Sequence, residues 1–168
     1  MASKPPKLTP GDVVIAGGKS YIIFSDQVRQ GGSCSWRARN PGNIRNGGSL
    51  GAIPGKKHAC GSSGAFAVFP TESSGFAAIS KVLKSFGHVT IQAAMNKYAP
   101  SSDGNNPKAY AQKMAKSMGA SVDDFVDKLS SSQLDKFATA IKKEEGWKAG
   151  KAYSRSDASL PQEIKDRL

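Results

Sequence analysis

The pattern of apolar residues changes character near residue 70, and this change limits the folds open to the chain. Residues 13–15 and 21–24 are short β-branched and aromatic runs separated by Gly17 and Gly18, which is typical of a β-hairpin. Residues 25–65 are rich in Gly, Asn, Ser and Pro and show little periodicity. A compact domain rarely carries so long an irregular stretch unless the stretch is functional.

From residue 71 onward, apolar residues recur three and four positions apart, which predicts helices. The predicted boundary residues are Thr71, Thr90, Ser121 and Ser131 or Ser132 as N-caps, Pro107 in a first turn, and Gly119 and Gly146 at helix ends. We therefore expect an α+β fold that is mainly α, with a small N-terminal β-lobe and about five helices. Residues 11–153 would form one domain, residues 1–10 a flexible tail or linker, and residues 154–168 a peripheral tail.

Length and charge narrow the classes of partner. The 168 residues suffice for one sizeable core, and 24 Lys and Arg against 13 Asp and Glu give a net charge of +11. Such a surplus favours polyanions, namely nucleic acid, anionic lipid or an acidic cell-wall polymer. The basic residues are scattered and no nucleic-acid-binding motif is present, so we do not expect nucleic acid as a partner. No apolar run is long enough to span a bilayer.

The cysteines and histidines give weak signals. Cys34 and Cys60 are equally compatible with one disulfide and with two unpaired thiols. His58 and His88 are expected at the surface. An amidase that cleaves peptide stems would need a Cys–His pair or a metal site, and neither is convincing here. We expect no metal and no cofactor.

Two adjacent glutamates, Glu144 and Glu145, lie at the end of the last predicted helix. At about 100° per residue, Glu145 returns to within about 20° of Leu134 on the apolar face, whereas Glu144 lies roughly 80° away. Burial and the negative end of the helix dipole both favour a protonated carboxyl at position 145. A glycosidase needs such a group to protonate the leaving oxygen. Alternatively, both glutamates simply offset neighbouring lysines.

Further motifs accompany these glutamates in a fixed order. They are "SWRARNPGNIRNG" at 35–47, "GAFAVFPTESSGFAAISKVL" at 64–83, "VTIQAAMNKYAPSSDGNNPKAY" at 89–110 and "EEGW" at 144–147. This series resembles the one in lysozyme-like peptidoglycan hydrolases of prophages and of type VI secretion effectors. The resemblance covers about residues 26–150, and its most specific parts are "NPGNIR" and "FAVFPT".

The resemblance implies a lysozyme-like fold with Glu145 as the general acid. "EEGWKAGKAY" is similar to the "EGxxxxxY" turn of phage-type lysozymes, where the glutamate before the glycine is the acid. In those enzymes this turn opens the domain, whereas here it closes the domain, so we expect a circularly permuted arrangement. Glu72 is a less favoured alternative acid, because a glutamate in the first turn of a helix tends to stay ionised.

The remaining candidate site residues have both functional and structural interpretations. Asp26 is the candidate for a second catalytic carboxylate, or else a turn residue at the end of the hairpin. If the site has no second acid, the enzyme would be a lytic transglycosylase, which uses the sugar's own groups. The candidate substrate-binding residues are Trp36, Asn40, Asn43, Arg45 and Tyr98. Trp36 and Tyr98 could equally pack in the core, and Asn40 and Asn43 form a tight turn around Pro41 and Gly42.

The sequence thus predicts a monomeric muramidase that cleaves between N-acetylmuramic acid and N-acetylglucosamine in peptidoglycan. A non-catalytic wall-binding or virion-structural module on the same scaffold is the alternative from another class. The N-terminus does not resemble a secretory signal. We therefore expect delivery to a target bacterium's periplasm or wall by a secretion system, a phage or a larger polypeptide, and a cognate immunity protein as a partner.

Overall fold

The computed structural model of the protein describes residues 5–168, and its α+β class confirms the sequence prediction. These residues divide into two compact units. The first, here called the β unit, contains the chain up to Gly75 together with Glu145–Leu168. The second, here called the helical unit, is Phe76–Glu144. Residues 1–4, part of the predicted flexible tail, lie outside the described residues.

The β unit contains a four-stranded antiparallel sheet and a separate two-stranded hairpin. The strands are β1 (Val13–Ala16), β2 (Lys19–Ile23), β3 (Val28–Gln30), β4 (Lys57–Ala59), β5 (Ala65–Ala67) and β6 (Lys151–Tyr153). The sheet order is β1-β2-β3-β6, and β4 pairs with β5. Gly17 and Gly18 both have positive φ angles, as a two-residue hairpin turn requires, which confirms the predicted hairpin. Because β6 pairs with β3, the segment that follows Glu145 joins the N-terminal sheet.

The core of the β unit includes both ends of the described chain. Alternating residues of the sheet face this core, as expected for a sheet with one buried face. It consists of Leu8, Val14, Ala16, Tyr21, Ile23, Val28, Tyr153, Leu160 and Ile164. The backbone nitrogen of Leu8 donates to the carbonyl of Arg167 (2.8 Å). Leu8, from the predicted tail 1–10, and Leu160 and Ile164, from the predicted tail 154–168, are thus buried, because apolar residues that are isolated in sequence gain their partners only in the fold.

A disulfide joins Cys34 and Cys60 and settles the alternatives that the sequence left open. The two residues are 26 positions apart, so the bond closes a loop that includes the "NPGNIR" turn. In the chain-entropy model, closing a loop of this length stabilises the folded state by about 3.5 kcal/mol. Within residues 38–56 the regular structure is limited to a single 3-10 turn, Gly48–Leu50. The covalent link therefore restrains a segment that has little secondary structure of its own.

Six α-helices occur within residues 5–168. They are α1 (Cys34–Arg37), α2 (Glu72–Ser85), α3 (Ile91–Tyr98), α4 (Pro107–Met118), α5 (Ser131–Glu144) and α6 (Gln162–Lys165). The predicted cap at Thr90 is confirmed, since its hydroxyl accepts from the Ala93 backbone nitrogen. Gly119 ends α4 in the left-handed conformation, also as predicted.

Two predicted helix starts were wrong. The helix expected after Ser121 is replaced by turns and a 3-10 helix over Val126–Lys128, because the Asp124 carboxylate accepts from the Ser121 backbone nitrogen and fixes a turn there. The cap of α5 is Ser130 rather than Ser131 or Ser132, since its hydroxyl accepts from the Gln133 backbone nitrogen. Both differences arise from short polar segments in which several residues can cap.

Two glycines allow the segment after Glu145 to pass close to the end of β3. A Cβ added to Gly150 would overlap the carbonyl oxygen of Gln30 and the backbone of Gly31 and Gly32. A Cβ on Gly32 would lie 2.5 Å from the carbonyl oxygen of Lys148. Only residues without side chains allow the two backbones to approach so closely.

We expect Gly150→Ala to lower the free energy of unfolding by about 2 kcal/mol, because the added methyl group forces the two backbone segments apart. The matched control is Gly48→Ala, where a Cβ would meet no atom within 4 Å. Urea unfolding followed by circular dichroism measures both variants. Equal stabilities of the two variants would contradict the tight contact.

Candidate functional site

The "NPGNIR" turn and the "EEGW" glutamate meet in the β unit. The side-chain nitrogen Nδ2 of Asn43 donates to Oε2 of Glu145 at 2.7 Å, although the residues are 102 positions apart. Glu145 follows α5 directly and is half-buried, whereas Glu144 is exposed, as the helical wheel predicted. Asn43 has a φ of 47°, a left-handed conformation that asparagine tolerates better than most residues. This unusual backbone conformation is part of what directs the amide towards Glu145.

Asn40 holds the turn that presents Asn43. It is fully buried, and its Nδ2 donates to the carbonyls of Ile44 and Ala67, each at 2.8 Å. Its Oδ1 accepts from the backbone nitrogen of Ile44, and its carbonyl accepts from the backbone nitrogen of Asn43 (3.1 Å). Both amide hydrogens are therefore used within the protein. The predicted contact of Asn40 with substrate is replaced by a structural role.

Hydrogen bonds on the other side of Glu145 fix the segment that leaves it. Gly146 has a φ of 68°, which turns the chain away from the end of α5. The Ser33 backbone nitrogen donates to the carbonyl of Lys148 at 2.8 Å, and the Lys148 backbone nitrogen donates to the Ser33 hydroxyl at 3.1 Å. Glu145 is thus held between the "NPGNIR" turn and an anchored C-terminal segment.

Asp26 and Glu72, the other candidate catalytic carboxylates of the β unit, each form an ion pair with a buried arginine. Arg39 donates to both oxygens of Asp26 at 2.7 Å, and Arg29 forms an ion pair with Glu72. Gln27 bridges the two guanidinium groups in the side-chain orientation that satisfies its hydrogen bonds, with its oxygen 2.9 Å from Nε of Arg29 and 2.9 Å from Nη2 of Arg39. Burial alone would raise the pKa of Asp26, but the hydrogen bonds and charge of Arg39 outweigh it and hold this pKa below its ordinary value.

Trp36 lies in the interior beneath one of these arginines. Its side chain is buried, and the Arg29 guanidinium lies 4.4 Å from the centre of its ring. Arg29 also donates to the carbonyl of Trp36 at 2.6 Å. The core-packing alternative left open from the sequence therefore describes Trp36, because the face that would stack on a sugar is occupied.

Arg45 and Tyr98 have different surroundings. Arg45 is exposed, two residues after Asn43, with its guanidinium 5.5 Å from the Phe66 ring centre. Tyr98 belongs to the helical unit, where its ring lies 6.5 Å from that of Tyr110 and 6.2 Å from that of Phe137. Core packing accounts for the position of Tyr98, and its contact with substrate stays a prediction.

The disulfide lies in a cluster with His58 and Arg37. His58 is buried, contrary to the prediction of a surface position, because β4 pairs with β5 and places it opposite Phe66. Arg37 donates through Nε to Nε2 of His58 at 3.2 Å, and its Nη2 lies 3.3 Å from Sγ of Cys34. Burial and the charge of Arg37 lower the pKa of His58 to about 4, so the imidazole is neutral at physiological pH. With both cysteines bonded to each other, this cluster offers no thiol nucleophile.

Within residues 5–168, no helix combines the length and apolar character needed to cross a bilayer. Neither a comparison with models of known protein families nor one with curated protein sequences gives a match.

Sequence reasoning did not identify several residues that build the site. Ser33 and Gln27 are ordinary polar residues in loops, and the roles of Arg29 and Arg39 depend on contacts with distant segments. One signal was present in the sequence, because the pair Gly31 and Gly32 is typical of a place where two backbones approach closely.

We expect Asp26→Asn to lower the stability of the protein at about pH 7 and to have progressively less effect as the pH falls below the ordinary pKa of 3.8. Because the pKa of Asp26 is lower in the folded protein than its ordinary value of 3.8, the ion pair stabilises the fold above that value. This stabilisation is lost as the pH falls below it, through the folded-state pKa. Urea midpoints measured across this range report the effect. Asp135→Asn, an exposed aspartate of α5, is the control, and a pH-independent difference between wild type and Asp26→Asn would contradict the assignment.

Proposed function

We propose that the protein is a peptidoglycan glycosidase of the muramidase type, with a lysozyme-like fold and Glu145 as the proton donor. The observation that carries this proposal is the hydrogen bond from Asn43 to Glu145. Two of the motifs in which the chain resembles lysozyme-like hydrolases, "NPGNIR" and "EEGW", meet at a half-buried carboxyl group. A glutamate that only offsets neighbouring surface charges would be expected to face solvent and not to contact this turn.

The geometry suits a general acid. The Asn43 amide fixes the orientation of the carboxyl group by donating to its Oε2 atom. The Asn43 Oδ1 atom is buried and has no hydrogen-bond partner within residues 5–168. After rotation of the amide, this oxygen would accept from a protonated Glu145, so the same side chain can hold both protonation states. Such a neighbour suits a group that acts first as an acid and then as a base within one catalytic cycle.

The connectivity is compatible with a permuted lysozyme-like fold. The segment after Glu145 continues into β6, which pairs with β3. The glutamate is therefore followed directly by a strand of the sheet, as we expect for a lysozyme-like fold. Leu8 and Arg167 are hydrogen-bonded to each other. Ends that lie together make circular permutation physically inexpensive, because few contacts change when the connection moves.

The charge of the chain favours an acidic wall polymer as substrate. A net charge of +11 attracts the carboxylates and phosphates of the bacterial wall over a distance that shortens as salt rises. Arg45, exposed beside the Asn43 turn, is our candidate for contact with a peptide-stem carboxylate. The substrate lies in the periplasm or wall of a bacterium, so we propose delivery by a secretion system, a phage or a larger polypeptide. A cognate immunity protein would protect the producing cell.

The arginine pairs favour one variant of the mechanism. Asp26 and Glu72 are the two other carboxylates considered for the reaction, and both are engaged by buried guanidinium groups. An oxygen that accepts such hydrogen bonds is a weak nucleophile and a weak base. We therefore favour lytic transglycosylation, in which Glu145 first protonates the leaving oxygen and then takes the proton of the sugar's 6-hydroxyl as it attacks C1. Mass spectrometry of the products separates the two reactions, since an anhydro terminus marks transglycosylation and a reducing terminus marks hydrolysis.

We expect Glu145→Gln to lower the rate of peptidoglycan cleavage by about a thousandfold, because the amide keeps the shape of the side chain and cannot donate the proton. Glu144→Gln is the matched control, since the neighbouring residue is exposed and forms an ion pair with Lys113. The assay separates soluble muropeptides by chromatography and identifies them by mass, which detects both product types.

Equal activity of Glu145→Gln and wild type would remove Glu145 from the mechanism. Binding to insoluble peptidoglycan without product release by the wild type would instead establish the wall-binding module.

We expect Asn43→Ala to lower kcat by about tenfold with a smaller change in KM, because the carboxyl group loses its fixed orientation while the substrate contacts remain. Asn46→Ala, an exposed asparagine three residues further on, is the control. Steady-state rates on purified glycan strands measure both. A change confined to KM would show that Asn43 binds substrate and does not orient Glu145.

A further inference from the structure

We propose that the Cys34–Cys60 disulfide is a redox latch for the site: the bond holds the Asn43 turn against Glu145, and its reduction releases the turn. This inference rests on the proposed function, which supplies the reaction that the latch would control. It concerns a bond that the catalytic mechanism itself does not use.

The position of the bond supports this role. Cys34 begins α1 directly before the irregular loop, and Cys60 follows β4 directly after it. Asn43 lies between them, nine residues beyond Cys34, and its side chain contacts Glu145 on a different part of the chain. Ala38 and Ile44 are buried at the start of the loop, whereas much of its second half is exposed and has little regular structure. Such segments open locally more readily than packed elements, so a covalent closure has a large effect on them.

The surroundings of the sulfur atoms favour rapid exchange. Both cysteines are half-buried rather than fully enclosed, so a reductant or oxidant can reach them. Arg37 is anchored by donating to the carbonyls of Gly31 and Gly32, at 2.9 and 2.8 Å, and its Nη2 lies 3.3 Å from the sulfur of Cys34. A fixed cation at this distance favours the thiolate of Cys34 over its thiol when the bond is open. His58 is neutral and adds no charge to this effect.

The Cys34–Cys60 bond closes by thiol–disulfide exchange with an oxidant that itself carries a disulfide. The Cys34 thiolate attacks one sulfur of the oxidant's disulfide and displaces the other as a thiolate. The Cys60 thiolate then attacks Sγ of Cys34 in the mixed disulfide and displaces the second oxidant thiolate. The two cysteine thiols lose two protons and two electrons, and the oxidant's disulfide becomes a dithiol. Reduction by a dithiol is the reverse reaction.

The latch would make peptidoglycan cleavage depend on the redox state of the cellular compartment that holds the protein. The bond stays open in a reducing cytoplasm and closes in an oxidising periplasm. An enzyme whose substrate lies outside the cytoplasm would therefore reach full activity only after export. The site would be poorly ordered in the cell that makes it.

The test uses wild-type protein equilibrated in dithiothreitol buffers of graded dithiol-to-disulfide ratio. Alkylation and mass measurement give the fraction of protein with the bond closed, and muropeptide release gives the activity. We expect activity to follow the closed fraction and to fall at least about tenfold on full reduction. Constant activity across the series would overturn the latch. The buffers contain a chelator, because Cys34, His58 and Cys60 have donor atoms within 4.8 Å of one another and a metal ion bound there would link the loop in place of the disulfide.

Two further measurements separate the latch from general unfolding and from the proposed function. Far-UV circular dichroism of the reduced protein should stay close to that of the oxidised protein, and its loss would show collapse of the whole fold and overturn a local latch. The Cys34→Ser, Cys60→Ser double variant should match the reduced protein. Ser62→Ala, an exposed residue two positions after Cys60, should keep both activity and sensitivity to reductant.

The NMR resonances of the Asn43 side-chain amide, assigned by their absence in Asn43→Ala, report the contact with Glu145 without any need for activity. A shift of these resonances on reduction supports the latch, whether or not the oxidised protein cleaves peptidoglycan. The absence of cleavage would contradict the proposed function only. Unchanged resonances in the reduced protein would overturn the latch while leaving the proposed function intact.

Discussion

The close approach of Gly32 and Gly150 is the constraint on which the candidate site depends. It allows β6 to pair with β3 and so draws the end of the chain back to the first sheet. Glu145 lies at the start of this returning segment, beside the "NPGNIR" turn, where it accepts a hydrogen bond from Asn43. A larger residue at either glycine would separate the two backbones, and the glutamate would lose its neighbour. The chemistry proposed for Glu145 thus depends on two other residues, Gly32 and Gly150, which allow the close approach because they have no side chain.

The three carboxylates of the β unit that were considered for the reaction contact different kinds of groups. Asp26 and Glu72 neutralise buried guanidinium groups, which could not remain in the interior without partners because an unpaired buried charge is costly. Glu145 accepts a hydrogen bond from a neutral amide, that of Asn43. A neutral amide can serve either protonation state of a carboxyl group, because its nitrogen donates and its oxygen accepts.

Local patterns predicted the helices and the first hairpin well, and they were less informative about the loop and the chain ends. The spacing of apolar residues in α2 and α5, and the glycines between β1 and β2, report interactions between neighbours in sequence, which a short window contains. The buried position of His58 depends on the pairing of β4 with β5, and that of Ile164 depends on a sheet formed by residues far away. The helical wheel placed Glu145 inward correctly, although the residue lies just beyond the end of α5, because the helical path continues almost to Gly146.

The sequence by itself determined the α+β class and the boundaries of most helices, and it singled out Asn43 and Glu145 as candidate site residues. Only the tertiary structure decided that these two residues touch, that Cys34 is bonded to Cys60, and that Asp26 is paired with Arg39. The physical reason is that secondary structure is selected by interactions within a few residues, whereas a site is assembled by long-range packing. The partner of a polar side chain therefore depends on which distant backbone can approach it, and no local pattern of residue types specifies that distance.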